Sequence, residues 1–118
     1  MMFKTGYQRG LLAEAVARLY LRLKGYSIIE QRYRNSYGEI DLIIRKGRRL
    51  VAVEIKFRQS QRTAAESITR RQCQRIERTL RAYLGQLAWQ PEEIRFDVIL
   101  LSPKSLPQHL KNAWQSNH

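Results

Sequence analysis

Two carboxylates and one ammonium stand in stretches of this chain that otherwise read as buried β-strand: Asp41 in Glu39-Ile40-Asp41-Leu42-Ile43-Ile44, and Glu54 and Lys56 in Val53-Glu54-Ile55-Lys56-Phe57. An ionised carboxylate in an apolar strand costs several kcal/mol unless it is paired or bound to a metal. Alternate side chains of a strand share a face, so Glu54 and Lys56 lie on one side, and Ile55 joins Val51, Val53 and Phe57 on the other. In the earlier segment Ile40, Leu42 and Ile44 form the apolar face, and the opposite face carries the acid. If the two segments pair as a hairpin, Asp41 and Glu54 converge on a hard cation with Lys56 beside them.

The chemistry such a group serves is phosphodiester hydrolysis, which needs charge stabilisation on the phosphoryl oxygens and a positioned, partly deprotonated water. Mg²⁺ or Mn²⁺ held by one or two carboxylates meets both needs. Asp41 and Glu54 are the candidate ligands, the backbone carbonyl of Ile55 adds a third oxygen, and Lys56 stands beside the attacking water as orienter or proton acceptor. Glu14, on a helix earlier in the chain, is either solvated or aimed at the same cation or a second one. Plainer readings exist for each residue. Glu54 and Lys56 fit the charged face of a surface strand, Asp41 a simple pair with Lys56, Gly38 a turn, and Asp97 a structural acid bound to a backbone amide or an arginine.

The elements that must position these groups follow from periodicity. Leu11, Leu12, Ala15, Val16, Leu19, Tyr20 and Leu23 recur at helical spacing and Gly25 supplies the stop, which predicts a first helix over 7–23 with that stripe as its core face. Strands are expected over 26–34, 39–45 and 50–57, joined by turns at Asn35-Ser36-Tyr37-Gly38 and Lys46-Gly47-Arg48, as an antiparallel meander. Residues 59–63 read as a polar loop. Thr69 followed by Gln72 fits a capping box, opening a second helix with Cys73, Ile76, Leu80, Tyr83, Leu84 and Leu87 as its apolar stripe and Arg71, Arg75, Arg78 and Arg81 opposite. The run 94–101 is almost continuously apolar, implying a strand buried on both faces and reached by a right-handed crossover, hence parallel to a neighbour. Pro103 and Pro107 break the C-terminal stretch, leaving Leu110, Ala113 and Trp114 to cover an edge. The order helix, strand, strand, strand, helix, strand predicts a mixed α/β sandwich in one domain over 1–118.

Composition narrows the partner. The 118 residues carry 22 Lys+Arg against 10 Asp+Glu, a net charge of +12, which favours a polyanion. Most of the cations are arginine, whose planar fork suits phosphate better than lysine does, so nucleic acid is expected over a generic acidic surface. Arg71, Gln72 and Arg75 at the start of the second helix, and Arg58 just past the third strand, are the candidate contacts. For Arg71 and Gln72 the alternatives are phosphate held on free helix amides or a plain helix cap. A single Cys73 makes no internal disulfide, and the two histidines, His109 and His118, make no structural zinc site, so any metal is held by oxygen. With no apolar run of membrane-spanning length and no signal-peptide pattern at the start, a cytoplasmic protein without a membrane partner is expected.

Asp41 followed by Glu54-Ile55-Lys56 resembles the metal-binding core of the PD-(D/E)XK nucleases. Gly38-Glu39-Ile40-Asp41-Leu42-Ile43, Val53-Glu54-Ile55-Lys56-Phe57-Arg58, Arg95-Phe96-Asp97-Val98, Leu21-Arg22-Leu23-Lys24-Gly25-Tyr26 and His109-Leu110-Lys111-Asn112-Ala113-Trp114 are similar to the bacterial YraN family across nearly the whole chain. That resemblance implies a restriction-endonuclease-like fold, related to archaeal Holliday-junction resolvases. It carries the ligand role to Asp41 and Glu54, the catalytic lysine to Lys56 and an auxiliary acid to Glu14. Ile40 stands where the nuclease pattern has proline, and Ala13 stands where many relatives have glycine before the helix acid. The expected activity is a structure-selective DNA endonuclease in repair, recombination or uptake. A branched substrate needs two cuts, which suggests a two-fold dimer. The competing expectations are a non-catalytic nucleic-acid-binding module working with a protein partner, and an RNA-associated basic protein.

Overall fold

A computed structural model describes residues 6–59 and 68–114. Helix α1 (Gly6–Leu23) leads into β1 (Ser27–Asn35), β2 (Gly38–Lys46) and β3 (Arg49–Phe57), then α2 (Arg70–Leu84), β4 (Glu93–Leu101) and a short β5 (Gln108–Leu110). The sheet order is β1-β2-β3-β4-β5. The first three strands form the expected antiparallel meander, and β4 lies parallel to β3 after the passage through α2. Most of the loop expected at 59–63 lies outside the described residues.

The two faces of the sheet separate by strand alternation. Leu42, Ile44, Val51, Val53, Ile99 and Leu101 pack under α1, while Leu50, Ala52 and Phe96 meet Ile76, Leu80 and Tyr83 of α2. β4 is buried through its last seven residues, as its nearly continuous apolar run requires, with Arg95 and Asp97 as the charged exceptions. Ile40 departs from the expected alternation: it belongs to the α2-side cluster, not with Leu42 and Ile44. The departure falls next to Asp41, where β2 leaves β3.

Two sequence expectations need correction. Most of the stripe assigned to the core of α1 points the other way: Leu19 is 59% and Leu23 78% exposed, and Leu11, Leu12 and Val16 are also exposed, while Ala13, Ala17 and Leu21 are buried against the sheet and only Tyr20 of the assigned stripe packs against that core. The reason is fit. The sheet presents bulky branched side chains on this face, so the helix that lies on it uses its alanine side. This turns Glu14, between Ala13 and Ala17, inward. The helix ends as expected, with Gly25 at φ 94 and the paired bonds Tyr26 N to Leu21 O and Gly25 N to Arg22 O of a Schellman stop. The second correction is a fifth strand. Gln108–Leu110 pairs antiparallel with β4, and the segment does cover the edge, with Trp114 stacked on Phe96 and bonded through Nε1 to Glu77.

Candidate active site

β2 and β3 pair from Lys46/Arg49 as far as Leu42/Val53, and there the ladder stops. One step further Asp41 and Glu54 would oppose each other. The strands have parted, and the Asp41 carboxylate fills the opening, its Oδ2 accepting the Ile55 backbone N–H at 2.8 Å. Glu54 comes from the α2 side of β3, near enough to Asp41 for the charge of one carboxylate to act on the other. Lys56, two residues on along the same face, lies with Nζ 3.5 Å from Glu54 Oε1. The sequence pattern therefore brings the two acids and the amine to one point.

Their electrostatics are unusual. Burial pushes the Glu54 carboxyl up to about 7, reinforced by the charge of Asp41 and only partly opposed by Lys56. Burial likewise raises Asp41, against the Ile55 amide and Lys56, which pull it down. Two half-buried carboxylates close together, with one lysine beside Glu54, resist carrying two negative charges. A cation would relieve that. Among the described residues no three Asp, Glu, His or Cys side chains gather tightly enough to form a metal cage. The protein offers two carboxylates and neighbouring backbone oxygen, a donor set suited to Mg²⁺ or Mn²⁺, which keep several waters or substrate oxygens.

Asp41 borders two hollows, one on each face of the sheet. A cavity of about 480 Å³ opens toward α2, lined by Asp41, Glu54, Gln72, Arg75 and the hairpin residues 34–39. On the α1 side a hollow of about 380 Å³ is bordered by Asp41, Glu14, Ile55, Phe57 and Arg58. Glu14 faces this second space but is already engaged: Arg32 Nε donates to both its oxygens at 2.9 Å, and Arg18 lies 3.9 Å away. Arg32 stands opposite Asp41 in the β1 register and takes a left-handed conformation, φ 50.

Helix α2 contributes to the rim through its first two turns. Thr69 caps it, Oγ1 accepting from Gln72 N at 3.1 Å. The Gln72 side chain does not complete the expected box; Nε2 reaches Glu54 Oε1 at 3.4 Å. Arg75 crosses directly above Gly38, where a Cβ would sit 2.8 Å from Arg75 Cγ and 3.0 Å from Thr79 Oγ1. Gly38 is thus a close-approach residue as well as a turn residue. Arg58 borders the α1-side hollow, and Arg71 is exposed at the start of α2, adjoining neither space. Sequence reasoning missed Arg32, Arg34 and Tyr37. The first is betrayed only by its backbone angle, and the other two sit on a hairpin whose place beside the acids depends on the strand separation.

The family model for "Uncharacterised protein family UPF0102" matches residues 13–101. A UPF0102 protein of Parvibaculum lavamentivorans is 44% identical over 112 residues, covering 94% of this chain and 84% of its own length. One from Rhodopseudomonas palustris (strain BisB18) is 44% identical over 117 residues, covering 96% and 84%. Another, from Nitrobacter winogradskyi, is 41% identical over 114 residues, covering 96% and 97%. The resemblance to YraN proteins is borne out at the level of the family, and the chain belongs to UPF0102.

Proposed function

We propose that the chain is a divalent-metal-dependent phosphodiesterase that cuts DNA, with Asp41 and Glu54 as the metal ligands. The observation that carries this reading is the meeting of two half-buried carboxylates at the point where β2 and β3 separate, one of them pushed up to about 7, beside a lysine and under an arginine-bearing helix. Mg²⁺ or Mn²⁺, when bound, would supply charge neutralisation on a phosphoryl oxygen and a more acidic water. Asp41, Glu54 and the Ile55 carbonyl would hold it; Glu14 could join only by exchanging Arg32.

The chain's own side chains would do the rest. Lys56, 10% exposed and held against Glu54, would orient a water or take part in moving its proton, a role worth about 10²–10⁴ in rate. Arg75 and Arg34 on the rim of the larger cavity suit the flanking phosphates, and Arg58 borders the opposite opening. The test is cleavage of branched, nicked and single-stranded DNA in Mn²⁺. Lys56→Ala should lose about 10²–10⁴ in rate and Asp41→Ala all divalent-dependent cleavage. Cleavage that survives both substitutions refutes the assignment.

A second reading rests on the exposed arginines 71, 75, 78 and 81 along α2, more than one metal site requires. On this reading the chain is a non-catalytic nucleic-acid-binding module. Tight, divalent-independent binding with no substrate cut, and a log-log salt slope of about −0.9 per phosphate contacted on duplex DNA, would favour it.

A further inference from the structure

Helix α1 is apolar on two sides, and only one is used. Ala13, Ala17 and Leu21 meet the sheet, while Leu12, Val16, Leu19 and Leu23 face outward with Leu11 beside them. The outward residues are spaced four, three and four apart, the a/d rhythm of a helix that packs against another helix. Burial by the chain's own core therefore does not explain the stripe.

We propose that this face joins two copies of the chain as an antiparallel helix pair about a two-fold axis. The spacing itself points to a second copy. The set 12, 16, 19, 23 is symmetric about the midpoint between Ala17 and Arg18, so an antiparallel pairing centred there sets Leu12 against Leu23 and Val16 against Leu19 of the other copy, twice over. A two-fold interface demands such self-complementarity, and an unrelated partner does not. The flanks agree. In that register Arg22 falls beside Ala15 of the other copy, and no two cations of the helix face each other across the seam. The exposed parts of the five side chains amount to on the order of 400 Å² per copy, about half of the roughly 800 Å² that each partner of a standard interface contributes. The patch is also as large as those that mark contact sites on single chains.

The opposing term is charge. Each copy carries +12, so association of two copies is resisted at low ionic strength and relieved as salt shortens the Debye length. Association bridged by nucleic acid would respond in the opposite sense. This interface is independent of the metal-site reading, because the outward face of α1 lies away from Asp41 and Glu54.

The test uses the full chain, freed of nucleic acid, in sedimentation across protein concentration at about 0.05 and 0.5 M salt. Dimer should appear and strengthen at the higher salt. Leu19→Glu, at a side chain already 59% exposed and therefore tolerated by the monomer, should weaken association by roughly 100-fold with unchanged circular dichroism. Register is read separately by disulfide trapping in a Cys73→Ser background. A mixture of Leu12→Cys and Leu23→Cys proteins should cross-link, while either alone should not, because eleven residues of helix separate like positions by about 16 Å. Monomer at every concentration, or a dimer indifferent to Leu19→Glu, overturns the interface; cross-linking of the single variants alone overturns the antiparallel register.

Discussion

The sheet buries acids at two places and treats them in opposite ways. Asp97, on β4, is completely enclosed, yet every lone pair has a donor. Arg95 forms a two-pronged pair with it at 2.8 Å on each oxygen, the Asn112 amide donates at 2.9 Å, and His109 Nε2 lies 2.6 Å away. Because an ionised carboxylate can only accept, Nε2 carries the proton and Nδ1 faces Lys24 Nζ at 2.7 Å. Burial alone would raise the Asp97 carboxyl; the bonds from His109 and Arg95 and the Asn112 amide outweigh it and hold the carboxyl below its ordinary value. Across the sheet, Asp41 and Glu54 share one backbone amide, one lysine at 3.5 Å and one glutamine at 3.4 Å, and both are held above theirs. A buried acid with a full set of donors is a structural fastener. A half-buried pair without one gains from any positive charge brought close to it.

The sharpest way to break that contrast is to remove one acid from each place. Asp97→Ala leaves Arg95, His109 and the fifth strand without their common partner. It should cost about 3–5 kcal/mol, the usual consequence of stranding a buried charge, on the order of 10–20 °C in melting temperature for a chain of this size. Asp41→Asn keeps an oxygen for the Ile55 amide and discards an unwelcome charge, so it should change stability by about 1 kcal/mol or less, in either direction. The sign of the pH dependence differs as well. A depressed carboxyl stabilises at neutral pH and loses that stabilisation as pH falls through its folded value, so the gap between wild type and Asp97→Ala should close only below about pH 4. Thermal melts from pH 3 to 8 check this, and equal losses from both variants would erase the distinction.

Glu54 sharpens the other half. Its folded value of about 7 exceeds the ordinary 4.5, so between those values the folded chain binds the extra proton and stability falls as pH rises. Above pH 7 the whole penalty is present. Glu54→Gln should therefore melt above wild type at pH 8, by on the order of 1–3 kcal/mol, with the difference fading toward pH 4.5. Millimolar Mg²⁺ or Mn²⁺ should raise wild type at pH 8 and leave the variant unmoved. If Glu54→Gln is less stable than wild type at pH 8, the acids are not in conflict.

These contrasts were unevenly legible in the sequence. The three meander strands, the parallel fourth and the meeting of Asp41 with Glu54 follow from alternation, turn residues and spacing, because each is a local signal read in one direction along the chain. The orientation of α1 is not local. Leu12, Val16, Leu19 and Leu23 make the stronger periodic stripe, but which side of a helix meets the sheet depends on the shape offered by Leu42, Ile44, Val51 and Val53. Asp97 was legible as a structural acid on an arginine or a backbone amide, which Arg95 and Asn112 supply; its other donor, His109, sits on a strand of three residues that no pattern announces. The hydrogen bond from Gln72 to Glu54 was hidden by the capping pattern that explains the same glutamine.

The smallest expected effect on binding, the loss of one contact, isolates the arginine-bearing rim from the acids beneath it. Gly38 lets α2 lie low over the hairpin. A methyl group there would press on Arg75 Cγ and on Thr79 Oγ1, which donates to Arg75 O at 2.8 Å. The Thr79 side chain is buried and the backbone at φ 158 favours glycine, so Gly38→Ala should cost about 1–3 kcal/mol from strain and overpacking together. The Arg75 head would then shift off the cavity while Asp41 and Glu54 keep their strand positions. The expected signature is weaker binding to DNA, with a salt slope reduced by about one contact, at unchanged affinity for divalent cation by calorimetry. Arg75→Gln should give the same loss of slope without the loss of stability. Loss of cation affinity in Gly38→Ala would mean that α2 positions the acids themselves, through Gln72 on Glu54, and that rim and acids move as one unit.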